Sequence, residues 1–315
     1  MKEVTLEELL EAGCHFGHQV NRANPRAASF IFEERDNIHI INLEKTLEGL
    51  QEAGKHLSNI ASEGGSIVVV GTKRQAQNVV KDAVAKAWGK GVKNIYYVNA
   101  RWIGGTLTNY QEVSKNFKKL KDLTEFINVP EKQKGYTKRE VLLFGREREK
   151  LLNFYEGIAD LPGLPSALVI IGTHHERTAV DEAHKMGLDT VGIVDTNSDP
   201  RDVDWAIPSN DDAVGAIELI TTYLVEAFEE GQIQGEKNKQ KAQEDSVKAE
   251  KAAVDAENQR VEKEAEKVLR PASTQRGEQA QDKTAREGIK AAKIEKAKEP
   301  KKIAAKKVAK PTKSS

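Results

Sequence analysis

Four runs of consecutive apolar residues constrain this chain more than any other feature. They are Ile67-Val68-Val69-Val70, Ile95-Tyr96-Tyr97-Val98, Ala167-Leu168-Val169-Ile170-Ile171 and Thr190-Val191-Gly192-Ile193-Val194. None alternates between apolar and polar residues. Unbroken runs are expected of strands buried on both faces of a parallel sheet. Helical patterns separate them, from Arg74 to about Trp88 and from about Glu176 to Met186, and another follows from about Asp211 to Glu230. Strand and helix alternation of this kind predicts an α/β fold with right-handed crossovers and helices on both sheet faces. Upstream, Thr5 and Glu8 form a Thr-x-x-Glu capping box before Leu6, Leu9 and Leu10. Residues 14–41 read as loop with short strands at 30–32 and 38–41, and a second helix runs from Leu43 to about Ala61.

One stretch does not fit a simple crossover. Nearly 70 residues lie between the second and third strong strands. Val113, Phe117, Leu120, Thr124 and Ile127 step by 4, 3, 4, 3, and Val141, Phe144, Arg148, Leu151, Tyr155 and Ile158 continue the pattern after Pro130 and Gly135. This spacing predicts an antiparallel coiled-coil hairpin. Such an arm has too little core to be a domain and is suited to reaching a partner.

Charge divides the chain. Lys+Arg and Asp+Glu each number 49, yet residues 1–228 carry 27 basic and 33 acidic groups, and the remainder is net basic. From about Gly231 the chain is Lys/Glu/Ala/Gln with few aromatics, a composition that offsets little of its ordering entropy by burial. Residues 236–269 read as a solvated charged helix, and the last 28 as a disordered polycation. No run of about 18 apolar residues exists, so no spanning helix is expected. The start of the chain, Met1-Lys2-Glu3-Val4-Thr5, has no apolar signal region, and the lone Cys14 forms no internal disulfide. A reducing, cytoplasmic setting follows.

Several motifs bear on chemistry. Gly71-Thr72-Lys73-Arg74 ends a strand and opens a helical pattern, which suits an anion. No Gly-x-x-x-x-Gly-Lys-Ser/Thr or Gly-x-Gly-x-x-Gly run accompanies it, which argues against a nucleotide and leaves an RNA phosphate open. Cys14-His15-Phe16-Gly17-His18 brings a thiol and two imidazoles together without a clear fourth metal ligand, so loop contacts to backbone or nucleic acid are the better use. His174-His175-Glu176 follows a strand and reads as a helix start. Asp211 and Asp212 read as acids favouring a helix N-terminus, and Asp195 to Pro200 as a turn at a strand end, where ligand sites of α/β sheets lie. The run from Arg101 to Asn109, Arg-Trp-Ile-Gly-Gly-Thr-Leu-Thr-Asn, suits both RNA contact and a tight hinge around a buried Trp102.

Together these runs resemble one family, the bacterial small-subunit ribosomal protein S-two. The matching stretches are 12–18, Asn24-Pro25-Arg26, 38–46, 70–76, 101–109, 136–140, 195–200 and 207–213, in family order over about residues 3–228. The resemblance implies a flavodoxin-like, mainly parallel five-stranded sheet carrying a coiled-coil arm, in a structural protein with no catalysis and no cofactor. Residues 1–108 and 159–230 would form the core, 109–158 the arm, and 231–315 a largely disordered extension. Implied partners are small-subunit rRNA, neighbouring small-subunit proteins and ribosomal protein S-one, which members help to recruit. The RNA-binding residues expected are His15, His18, Arg22 and Arg26 in the N-terminal loops, Lys73 and Arg74 after the first core strand, and Arg101, Trp102, Thr108 and Asn109 at the arm's base. Two rival readings are a coiled-coil scaffold for protein partners and a nucleotide-binding α/β enzyme.

Overall fold

The computed structural model describes residues 4–268. It begins with helix α1 (Leu6–Glu11), held by the expected capping box between Thr5 and Glu8. Residues 14–41 are more ordered than their composition suggests. They form a small antiparallel sheet of β1 (Phe16–Gln19), β2 (Ile31–Arg35) and β3 (Ile38–Ile41), in the order β1-β3-β2. The β2–β3 hairpin turns on Asp36 and Asn37, both at positive φ, where short polar side chains tolerate the left-handed region. Helix α2 (Leu43–Glu63) follows, capped by the Asn42 side chain and ended by Gly64 at φ 88°.

The main sheet comprises β4 (Ile67–Val70), β5 (Ile95–Val98), β6 (Ala167–Ile171), β7 (Asp189–Val194) and β8 (Trp205–Pro208). Its order is β5-β4-β6-β7-β8, and every neighbouring pair is parallel. This is the doubly wound, flavodoxin-like arrangement, whose strand order reverses between β4 and β6. The four apolar runs are its first four strands. The fifth, β8, has only four residues and ends in Pro208, a residue that belongs on a sheet edge, so its run carries no strong strand signature. Both sheet edges are covered. Gly49 of α2 lies against β8, where a Cβ would stand 2.5 Å from the Ala206 carbonyl; Gly157 lies against β5, where a Cβ would stand 2.2 Å from the Tyr97 carbonyl.

Helix α3 (Gln77–Gly89) starts three residues later than the periodicity suggests, and a turn occupies the residues just before it. Lys73 and Arg74 therefore precede the helix rather than open it. The arm is the hairpin of α4 (Tyr110–Asn128) and α5 (Lys138–Tyr155). Its antiparallel register shows in the rings: Phe117 meets Tyr155 near the base at 5.4 Å, and Phe126 meets Phe144 near the tip at 5.2 Å. The base is part of the core. Val113, Phe117, Leu120 and Tyr155 join Val68, Val70, Leu168 and Ile170 on one sheet face, with helix α6 (Arg177–Met186). The other face packs against α1, α2, α3 and helix α7 (Val214–Val268).

Helix α7 continues past Glu230, where composition alone ends the core. Gly231 and Gly235 are the reason: a Cβ at either would stand 2.2 or 2.3 Å from the carbonyls of Ser58 and Ser62 in α2. Two glycines one turn apart let the helix backbones touch. The chain divides into two units between Lys248 and Ala249. The polycation expected at the C-terminus lies outside the described residues.

The glycine contact sets the sign of a substitution. Replacing glycine by alanine inside an open helix gains up to about 1 kcal/mol, whereas overpacking costs about 1–3 kcal/mol. Gly145 of α5 has no neighbour within 4 Å of a built Cβ. In urea unfolding, Gly231→Ala is expected to lower the midpoint and Gly145→Ala to leave it unchanged or raise it. A rise for both would show that α7 does not rest on α2 through its backbone.

Candidate functional site

The C-terminal ends of the parallel strands converge on one cluster. β4 delivers Lys73, β7 delivers Asp195, the segment after β8 delivers Asp211 and Asp212, and β1 brings His18 across from the small sheet. His18 Nδ1 lies 3.1 Å from Asp195 Oδ1, and its Nε2 lies 3.3 Å from Asp212 Oδ2. Lys73 Nζ lies 2.7 Å from Asp211 Oδ1 and 2.9 Å from Asp212 Oδ1. The side chains of Asp195 and Asp211 are fully buried. Thr196 pins the small sheet to this edge. Its hydroxyl accepts from the His18 backbone N–H at 2.8 Å, and its carbonyl accepts from the Asn24 N–H at 2.8 Å. Gly17 is required beside it, since a Cβ there would stand 2.7 Å from the Thr196 methyl.

Buried carboxylates need counter-charge or protons. Burial pushes the Asp211 carboxyl up to about 6, helped by the nearby Asp195 charge and opposed by Lys73. The bond to Asp195 raises the His18 pKa above 6.5 against the effect of burial, with Asp211 and Asp212 adding to it. For Lys73, burial works against the charge, but Asp211 and Asp212 outweigh it and raise the pKa. His18, Asp195 and Asp211 each offer a ligand atom within 4.8 Å of the others. One imidazole and two carboxylates would suit a zinc-type ion. Lys73 already supplies positive charge there. Asp211 and Asp212 precede α7 and turn to Lys73 and His18, instead of capping a helix as their position suggests.

The residues expected to bind RNA separate into distinct surroundings. His18 and Lys73 belong to the cluster. Arg26 pairs with Asp199, and burial of that carboxyl is outweighed by Arg26 and Arg201, which hold it down at about 2. Trp102 is buried and Thr108 exposed, and both are bonded to Glu182 of α6. His15 lies beside Phe16, with ring centroids 3.9 Å apart, and burial lowers its pKa. It lines a groove of about 380 Å³ with Leu6, Leu10, Phe32 and Ile40. Cys14 is buried in the core, and among the described residues the ligand group at His18 is completed by Asp195 and Asp211 rather than by Cys14 and His15. Asn109 is exposed at the N-cap of α4 without a side-chain capping bond. Arg22, Arg74 and Arg101 are exposed and have no ion-pair partner among the described residues. Sequence reading passed over Glu182 and Asp195 as partners because both contacts are long-range; Glu182 stands 80 residues from Trp102.

A doubly wound parallel sheet with a helical-hairpin arm and exposed arginines at its strand ends defines a flavodoxin-like protein of the α/β class. A family model described as Ribosomal protein S2 matches residues 9–231, more than half of the chain, and the chain belongs to that family. It is thus a small-subunit ribosomal protein, a ribonucleoprotein component of translation, and the family is structural rather than enzymatic. No helix among the described residues is long and apolar enough to cross a membrane.

The cluster gives the protein a defined pH response. A group whose pKa is raised by folding binds its proton more tightly in the folded state, so it favours the fold at lower pH. For His18 that contribution is complete below 6.5 and is lost as pH rises through its folded value. For Asp211 it is complete below 3.8 and lost as pH rises through about 6. The stability gap between the parent and His18→Gln, measured by urea unfolding, is expected to shrink as pH rises from about 6 to about 8. A gap independent of pH would show that His18 titrates alike in folded and unfolded chains.

Proposed function

We propose that this chain binds small-subunit rRNA in the cytoplasm through cations at the C-terminal edge of its sheet and at the arm's base, and that it helps to recruit ribosomal protein S-one. The observation that carries the RNA half is the contrast between its cations. Lys73, Arg26 and His18 pair with carboxylates of the chain, whereas Arg22, Arg74 and Arg101 are exposed and have no ion-pair partner among the described residues. Arg74 and Arg101 follow the neighbouring strands β4 and β5, so both lie at one end of the sheet. A guanidinium free of partners is available for bidentate contact with phosphate. Residues 1–228 are net acidic, which favours a few defined phosphate contacts over a uniformly basic face.

The protein-binding half rests on apolar surface. Leu6, Leu10 and Phe32 are exposed around the groove beside α1, and Leu142 and Leu143 are exposed on α5 of the arm. Exposed large apolar groups grouped together mark interaction surfaces. They support contact with S-one or neighbouring small-subunit proteins.

Titrating small-subunit rRNA at several salt concentrations tests the RNA half. Neutralising a residue that contacts phosphate lowers the slope of log affinity against log salt by about one. That loss is expected for Arg22→Ala, Arg74→Ala and Arg101→Ala. Lys73→Ala should lower stability and leave the slope unchanged. Parental slopes for all three arginine variants would remove them from the interface.

A further inference from the structure

We infer that Glu182 is the positioning residue of the arm: its buried carboxylate gathers the loop at the arm's base and thereby aims α4 and α5. The inference rests on the reading that the protein binds RNA. Glu182 lies on α6 and is 5% exposed. It has no ion-pair partner among the described residues; hydrogen-bond donors replace one. Its Oε1 accepts from the Trp102 indole at 3.2 Å and the Gly105 N–H at 2.7 Å. Its Oε2 accepts from the Leu107 N–H at 2.9 Å, the Thr108 N–H at 3.2 Å and the Thr108 hydroxyl at 3.3 Å. Burial alone would raise this carboxyl, but the amides of Leu107, Gly105 and Thr108 and the indole outweigh it, and its pKa falls below the usual value.

Three backbone amides converging on one carboxylate make an anion nest, a feature more familiar as a phosphate cradle. Gly105 takes φ +91°, which that geometry allows without strain. Since the nest is filled from within, the Gly104-Gly105-Thr106 loop has no vacancy for an RNA phosphate. Its use is mechanical. Asn109 and Tyr110 follow directly and start the arm. The Tyr110 hydroxyl donates to the Leu161 carbonyl at 2.6 Å, tying the outgoing leg to the segment after the returning one. Helix α4 has 19 residues and spans about 28 Å at 1.5 Å per residue, so a tilt of about 10° at the base moves the tip by about 5 Å. Arg101, immediately before the nest, is left outside it and exposed.

The test uses the full chain with cysteines introduced by Lys134→Cys near the tip and Ala85→Cys on α3, both exposed positions. Cys14 is buried, so spin labels attach at the introduced sites. Glu182→Gln presents an amide NH₂ to backbone donors and breaks half of the nest. The width of the tip-to-core distance distribution is expected to grow about two-fold while circular dichroism remains native. Affinity for small-subunit rRNA is expected to fall about ten-fold with an unchanged salt slope, because no phosphate contact is lost. If Glu182→Gln does not fold, Trp102→Phe with Thr108→Val removes two side-chain donors and should act in the same direction. A parental width in a folded variant would overturn the inference, and so would a broadened width with parental affinity. Failure of the parent to bind RNA would sink the preceding reading, while the distance measurement would still decide the role of Glu182 in the arm's geometry.

Discussion

A sheet buried on both faces and covered along both edges leaves one kind of exit for chemistry, the loops at its strand ends. Five parallel strands place their C-terminal ends on one side, and the strand order reverses between β4 and β6. In many folds of this type a nucleotide occupies that crevice. Here the chain fills it with its own charges. Lys73 points into Asp211 and Asp212, and His18 arrives from the small sheet to meet Asp195. The residues after β4 therefore serve as a brace rather than a phosphate loop. The same contacts fasten the small N-terminal sheet to the core.

The arm follows a similar logic at the other edge. Its base replaces the ordinary crossover helix between β5 and β6, so Phe117 and Tyr155 are core residues although they belong to a projecting hairpin. Glu182 satisfies the amides of the loop that enters the arm. In both places a buried carboxylate organises a loop, with a different solution to the cost of burying charge: cations at Asp211, and backbone donors at Glu182. Backbone donors leave the loop's own cation, Arg101, without an ion-pair partner among the described residues.

Much of the fold was legible in the sequence because it is written in local patterns. The four unbroken apolar runs give the strands, and the 3–4 spacing from Val113 to Ile158 gives the arm. The fifth strand was implied by the resemblance and not by its residues, since Trp205-Ala206-Ile207-Pro208 is short and ends in proline. The later part of α7 matches the charged helix read over 236–269, but its continuity through 231–235 was missed for another reason. Composition after Gly231 argues against burial, but burial there is by backbone contact at Gly231 and Gly235, which composition does not register. The site was legible as a set of residue types and not as a division of labour. Lys73 and Arg74 are adjacent and equally basic, yet one faces Asp211 and the other faces solvent. Only the turn before α3 and the position of Asp211, more than 130 residues away, separate them.

That division bears on how an acidic core can serve an RNA. Unpaired cations on a net acidic body attract phosphate only locally, since charges beyond a Debye length of about 8 Å are screened at physiological salt. Non-specific affinity, which grows with the number of phosphates neutralised, stays low. On the proposed reading, RNA binding would depend on several separated arginines meeting phosphates together, and this demands fixed distances between them. The small sheet that Arg22 directly follows is pinned through Thr196, Arg74 adjoins the brace at Lys73, and Arg101 adjoins the nest around Glu182. On that reading the buried carboxylates have a use that their cost in stability would not suggest: they set the positions of the loops that carry Arg22, Arg74 and Arg101.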